Sequence, residues 1–221
     1  MFDVHYYDNV PSTMDIARDT LVHGSVVQAG EQASARGRRG NQWSAPKGNL
    51  YQSIVLKPTK PRETWGQLSF VIAVALGKAI EKQTAYHLKW PNDVLINDQK
   101  LAGILIETHD DFVIIGVGVN IKSAPDGCAK IHDFNDMTVN DFRDVFLCEI
   151  EKYFNQWQAD GFASIRDLWM AYAYRLGETI QARLANVIYE GVFEGLNPQG
   201  ILLLREKDGY LREINSGEIL V

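Results

Sequence analysis

Between His87 and Val119 the sequence sets four short apolar runs almost end to end: His87 to Trp90, Val94 to Ile96, Leu101 to Glu107 and Phe112 to Val119. Each is too short for a helix and is bounded by turn residues, so the runs read as successive strands. Asn97-Asp98, between the second and third, is a polar two-residue turn of hairpin type. A chain with this stretch must build a sheet, and the sheet needs apolar cover. Upstream, Trp65, Leu68, Val71, Ile72, Ala75, Leu76, Ala79 and Ile80 recur at helical spacing along one face, which predicts a core helix. Phe2 to Tyr7, Val26 to Glu31 and Leu50 to Leu56 read as further strands. Thr13 to His23 reads as a helix with Ser12 at its N-cap.

Val139 to Trp157 and Gly161 to Arg175 read as two more amphipathic helices, the second closed by Gly177. Beyond it the character changes to short strands with turns: Thr179 to Leu184, Val187 to Leu196, Gly200 to Arg205, Tyr210 to Ile214 and Glu218 to Val221. About 45 residues of this kind suggest a small β-barrel module, of a size that is marginal alone. The boundary is placed near Leu176, giving 1–176 and 177–221. Neither a repeat nor a low-complexity tract is visible.

The 221 residues carry 22 Lys+Arg against 28 Asp+Glu, a formal charge of -6. That balance argues against a protein that coats nucleic acid or an anionic membrane. The charge is unevenly placed, however. From Gln32 to Arg62 there are seven basic residues (Arg36, Arg38, Arg39, Lys47, Lys57, Lys60, Arg62) and no acidic one, leaving 15 basic against 28 acidic elsewhere. The start MFDVHYYDNV has neither a basic leader nor a long apolar run, and no stretch approaches a membrane span of roughly 20 apolar residues. Cys128 and Cys148 form no CxxC. A cytoplasmic protein is the simplest expectation.

Three constellations can carry chemistry. In Ala35-Arg36-Gly37-Arg38-Arg39-Gly40 with Trp43, inside the aperiodic run Ser34 to Gly48, arginine forks and flanking glycines make an anion cradle. A solvated basic loop, or an RNA contact in which Trp43 stacks a base, is the alternative. Lys89-Trp90-Pro91-Asn92-Asp93 presents Asn92 and Asp93 at a turn fixed by Pro91, either to hold a ligand or Mg²⁺ or simply to make turn hydrogen bonds. Lys100 adds a cation at the foot of the next strand. Gly116-Val117-Gly118-Val119-Asn120, with Gly103 on a neighbouring strand, leaves one sheet face without side chains, either as a slot for a flat ligand or as a packing site. There is no GxxxxGK[ST], no GxGxxG opening a helix after a strand and no GxSxG, and the five histidines are scattered, which excludes P-loop, serine-hydrolase and metallohydrolase chemistry.

The ordered set Ser12-Thr13, Gln32, ARGRRG with Trp43, KWPND, KLAGILIE from Lys100 to Glu107, and GVGVN closely resembles the biotin protein ligases over essentially the whole chain. The resemblance implies an α+β fold: a catalytic domain with a mixed β-sheet and packed helices, related to class II aminoacyl-tRNA synthetases and lipoate ligases, followed by an SH3-like module. It implies an enzyme that joins biotin to ATP as biotinyl-5′-AMP, releases pyrophosphate, and moves the biotinyl group to a lysine of a biotin carboxyl carrier protein. Carried over by position, Ser12, Thr13 and Gln32 hydrogen-bond the biotin ring, and Gly103, Gly116 and Gly118 line its bed. Arg36, Gly37 and Arg38 close over the carboxylate and phosphates, with Arg39 beside them on the nucleotide, and Trp43 covers the pocket. Lys100 pairs with the reacting carboxylate and α-phosphate. Asn92, Asp93 and Asn120 serve the nucleotide and its Mg²⁺. Lys100, Arg38 and Asp93 are the expected catalytic group; the metal ligands are not assigned. Ala35 stands where the family usually has Gly, and Met14 where Asn often follows Ser-Thr. Because the chain starts almost at the catalytic domain, no DNA-binding repressor function is expected, nor a membrane partner. Either a monomer or a homodimer fits.

Overall fold

The computed structural model describes residues 2–185 and 187–220. Seven strands form the larger sheet: β1 (Asp3–Val10), β2 (Ser25–Gln32), β3 (Leu50–Leu56), β4 (His87–Lys89), β5 (Asp93–Ile96), β6 (Gln99–His109) and β7 (Phe112–Val119), in the order β1-β2-β3-β7-β6-β5-β4. Only β1 and β2 run parallel; the other pairings are antiparallel, so the sheet is mixed. Asn97 and Asp98 both take positive φ between β5 and β6, as a primed hairpin turn requires.

Apolar doublets in the strands serve two cores. Val26, Ile54 and Ile115 belong to the large core, whereas their neighbours Val27, Val55 and Ile114 pack with Met14 and Ala17 of α1 (Thr13–Asp19) on the opposite face. This is the period-2 consequence of a sheet covered on both sides. The large core holds α2 (Leu68–Ile80), α3 (Val139–Asp160) and α4 (Ala163–Ala171). The expected single apolar face of α2 is corrected. The run LSFVIAVALGKAI is buried all round, with only Ser69 and Lys78 outside its buried set, because α2 is sandwiched between the sheet and the outer helices. Trp65 lies outside α2, in a short 3₁₀ turn at Arg62–Gln67.

Two helices end earlier than predicted. α1 stops at Asp19 rather than His23, and the chain turns through Gly24, whose N–H donates to the Val55 carbonyl of the sheet. α4 stops at Ala171 rather than Arg175 because β4 takes the following backbone: Leu88 N donates to Tyr172 O (2.8 Å) and Tyr174 N to Leu88 O (2.9 Å). Gly177, at φ 80°, therefore turns the chain into the next strand and caps no helix. Ser12 occupies the N-cap position of α1, but its side chain makes no capping hydrogen bond.

The C-terminal strands β8 (Thr179–Leu184), β9 (Val187–Leu196), β10 (Leu202–Arg205), β11 (Leu211–Ile214) and β12 (Glu218–Leu220) form a second sheet, antiparallel throughout, in the order β11-β10-β9-β8-β12. Its apolar side joins the large core, and Trp90 Nε1 donates to Gly200 O at 3.3 Å. No helix among the described residues is long and apolar enough to cross a membrane.

Candidate active site

A pocket of about 420 Å³ opens beside α1 over β6 and β7, lined by residues from the 34–48 loop, the β4–β5 turn and the C-terminal sheet. It gathers every site residue expected from the sequence: Ser12, Thr13, Gln32, Arg36, Gly37, Arg38, Arg39, Trp43, Asn92, Asp93, Lys100, Gly103, Gly116, Gly118 and Asn120.

At one end the polar groups are neutral and bonded to one another. Thr13 sits at the start of α1, where its backbone N–H is free of the helix ladder. That N–H and the Thr13 hydroxyl both donate to Gln32 Oε1, at 2.7 and 3.1 Å, and Ser53 Oγ donates to Thr13 Oγ1 at 2.7 Å. Ser12 and Thr13 are buried. Gln32 is thus fixed with its oxygen toward α1.

The loop is a folded turn. Gly37 N donates to Asn41 O (2.7 Å), Trp43 N to Ala35 O (3.0 Å), and Arg36 bridges Gln42. Arg39 (φ 58°) and Gly40 (φ 77°) take the left-handed conformations that reverse the chain. Ala35 is buried without a positive φ, so the family's glycine is not needed here. The Arg36 fork grips Asp15 of α1 at 2.7 and 3.2 Å, so a carboxylate already balances its charge. The hydrogen bond from Arg36 holds the Asp15 carboxyl below its usual range.

The glycine floor is real, but the protein's own side chains occupy it. Gly103 and Gly118 are direct partners across β6 and β7. A Cβ at either would stand 2.9 or 2.6 Å from the Trp43 indole, and one at Gly116 would stand 2.8 Å from Met14 Sδ. Trp43 and Met14 are seated on this bed, and both line the pocket together with the three glycines. Trp43 is half-buried on this bed, which also removes it as a free platform for stacking a nucleic-acid base.

The other end is charged. Lys100 Nζ lies 2.7 Å from Asp93 Oδ1 and 5.3 Å from the Trp43 ring centroid. Asn92 is locked to β6, with Nδ2 donating to Ile104 O (2.9 Å) and its own carbonyl accepting from Ile104 N (3.0 Å). Its Oδ1 accepts from Arg38 Nη1 at 3.3 Å. Asn120 uses its amide to hold the backbone of Lys100 and Ala129 (3.3 and 3.0 Å), a role in building the wall that the expected nucleotide contact did not include.

Several lining residues were not singled out from sequence: Lys89, Cys128, and Gly217 with Glu218 from β12 and the turn before it. Lys89 is half-buried, and burial pushes its ammonium below the usual lysine range, opposed by the Asp93 charge. Burial likewise lowers Arg38, with Arg39 adding to the effect. Four cations (Arg38, Arg39, Lys89, Lys100) thus meet two carboxylates (Asp93, Glu218) at this end, an excess suited to a compact polyanion. Among the described residues no group of three or more His, Cys, Asp or Glu can hold a metal ion.

Comparison with known proteins places this geometry. Residues 7–120 match the model of the Biotin/lipoate A/B protein ligase family, and residues 176–221 that of the Biotin protein ligase C terminal domain. The biotin–acetyl-CoA-carboxylase ligase of Paracoccus denitrificans is 39% identical over 205 residues, covering 83% of this chain and 85% of that protein. A bifunctional ligase/repressor BirA of Bacillus subtilis is 31% identical, covering 97% of this chain and 72% of its own. The structure of biotin protein ligase from Aquifex aeolicus in complex with biotin and ATP superposes with a TM-score of 0.90 at 26% identity, covering 100% of this chain and 98% of that one.

Proposed function

Since the chain belongs to the biotin/lipoate A/B protein ligase family, as a biotin protein ligase, we propose that it activates biotin with ATP and transfers it to a lysine of a biotin carboxyl carrier domain. The observation that carries this reading is the polarity of the pocket, neutral and hydrogen-bonded at one end and cationic at the other. Biotin's uncharged polar ring suits the Ser12, Thr13 and Gln32 end, and its carboxylate then extends toward Lys100.

In the first step a carboxylate oxygen of biotin attacks the α-phosphorus of ATP, pyrophosphate leaves, and biotinyl-5′-AMP remains. Lys100 sits where negative charge grows on the α-phosphate, with Asp93 holding the ammonium in place. Arg38, Arg39 and Lys89 line the same end and add positive charge for the phosphates. In the second step the carrier lysine amine attacks the biotinyl carbonyl, the bond to AMP breaks, and an amide forms. The mixed anhydride hydrolyses in water, so the folded loop and Trp43 serve to exclude solvent between steps. Mg²⁺ would come with ATP, neutralising its phosphates, and Asn92 and Asp93 are the lining groups that would serve it. Residues 1–176 would carry both substrates, and 177–221 would complete the pocket wall.

The test is incubation with ATP, Mg²⁺, an apo carrier domain and either biotin or lipoate, read by intact mass of the carrier. One biotinyl group added to a single lysine is the expected result. Addition of lipoate in place of biotin, or no addition, overturns the assignment.

A further inference from the structure

Arg36 and Arg38 stand two residues apart in one turn and are held in opposite ways. The Arg36 fork closes on both oxygens of Asp15, so a carboxylate balances its charge. Arg38 is half-buried, and Nη1 donates to two uncharged oxygens, Asn92 Oδ1 at 3.3 Å and Gly217 O at 3.1 Å. A neutral acceptor fixes where a guanidinium lies without cancelling its charge, which leaves that charge for an anionic ligand. Gly217 lies 179 residues downstream of Arg38, in the turn that leads into β12 of the C-terminal sheet.

The Gly217 carbonyl has little freedom. Glu218 pairs with Arg183 and Ile219 with Ala182 in the β12·β8 ladder, which fixes the strand directly after it. Gly217 itself takes φ 151°, a conformation L side chains rarely adopt. A Cβ there would overlap the Arg183 carbonyl and lie 3.6 Å from the Trp90 ring. Trp90 is itself tied to the same module through Gly200 O. Backbone on one side and an indole on the other therefore aim this carbonyl at the loop.

Resting on the reading that this pocket makes an acyl-adenylate, we propose that Gly217 is a positioning residue. Its carbonyl anchors Arg38, so that the C-terminal module holds the 34–48 loop over the activated intermediate. The module then does more than extend the wall: it supplies the far attachment point of the loop, and Asp15 of α1 supplies the near one.

The test compares Gly217→Ala with Gly209→Ala, a turn glycine of the same module at φ 87° with open space around its Cβ position. With biotin and ATP but no carrier, the readout is free biotinyl-AMP per pyrophosphate formed. The added Cβ meets the Arg183 carbonyl, so the backbone must shift and carry the residue 217 carbonyl off Arg38. Breaking that hydrogen bond to a charged group should raise the released fraction about tenfold in Gly217→Ala, and Gly209→Ala should match the wild type. Added to Arg38→Gly, Gly217→Ala should change release by less than about twofold, because both remove the same contact. Wild-type retention in a folded Gly217→Ala protein, or a full multiplicative effect in the double variant, overturns the proposal. Should Gly217→Ala not fold, hydrogen exchange of the ligand-free full chain decides. Arg38→Gly should speed exchange at residues 217–220 about tenfold while leaving β10 unchanged, and unchanged exchange at 217–220 overturns the proposal. This second arm involves no biotin chemistry, so it fails or holds independently of the assigned reaction.

Discussion

At the Thr13 end of the pocket, Ser53 donates to Thr13 and Thr13 to Gln32, a run of hydrogen bonds with no charge in it. At the Lys100 end, four cations face two carboxylates, and Lys89 and Arg38 are both held below their usual range by burial. The first arrangement is rigid without ligand and recognises an uncharged ring through groups already in place. The second is an electrostatic deficit that a polyanion relieves. Stability and binding are thus aligned at one end and opposed at the other.

Lys100→Ala should give the largest effect, lowering kcat for biotin-dependent pyrophosphate release by about 10²–10³-fold with the fold retained, since it removes a donor to developing charge. Near-normal pyrophosphate release would break the distinction at once. Thr13→Val acts on the neutral end and should raise the KM for biotin about tenfold while leaving that for ATP within twofold. An equal rise in both would show that the two ends do not act separately. Lys89→Met should have the smallest catalytic effect, a rise of a few-fold in the KM for ATP, and it carries a sign that sharpens the contrast. The folded Lys89 pKa lies below the unfolded value, so the unfolded chain binds more protons between the two. Wild-type stability should therefore climb as pH rises through the folded pKa and level off above the ordinary lysine range. Denaturant unfolding of Lys89→Met should lack that climb and be more stable near neutral pH, by about 1 kcal/mol or less after solvent screening. A loss of stability at neutral pH would show that Lys89 is paired after all.

The strands and their turns were legible because short apolar runs bounded by turn residues, and the Asn97-Asp98 turn, are local signals. The ends of α1 and α4 were not, because distant backbone decides them: Leu88 takes the hydrogen bonds of Tyr172 and Tyr174. The same division holds for the pocket. Motif residues came together because each motif lies at a strand end or turn that the sheet brings to one place. The orientation of Arg36 toward Asp15, and the arrival of Gly217 beside Arg38, depend on packing between segments far apart in sequence, which leaves no trace in spacing. Lys89 was read inside its motif, yet a lysine's burial is a property of its neighbours, so nothing distinguished it from a solvent-facing one. Met14, where the family often has Asn, places its sulphur over Gly116, a contact that spacing does not show.

The chain has five tryptophans, of which Trp65, Trp90, Trp157 and Trp169 are buried, leaving Trp43 alone half-buried on its glycine bed. A collisional quencher in solution therefore meets essentially one fluorophore, and that fluorophore rides on the loop. The native protein carries an optical gauge of its own closure, with Lys100 close enough to the indole for ligand binding at the ammonium to tune the emission.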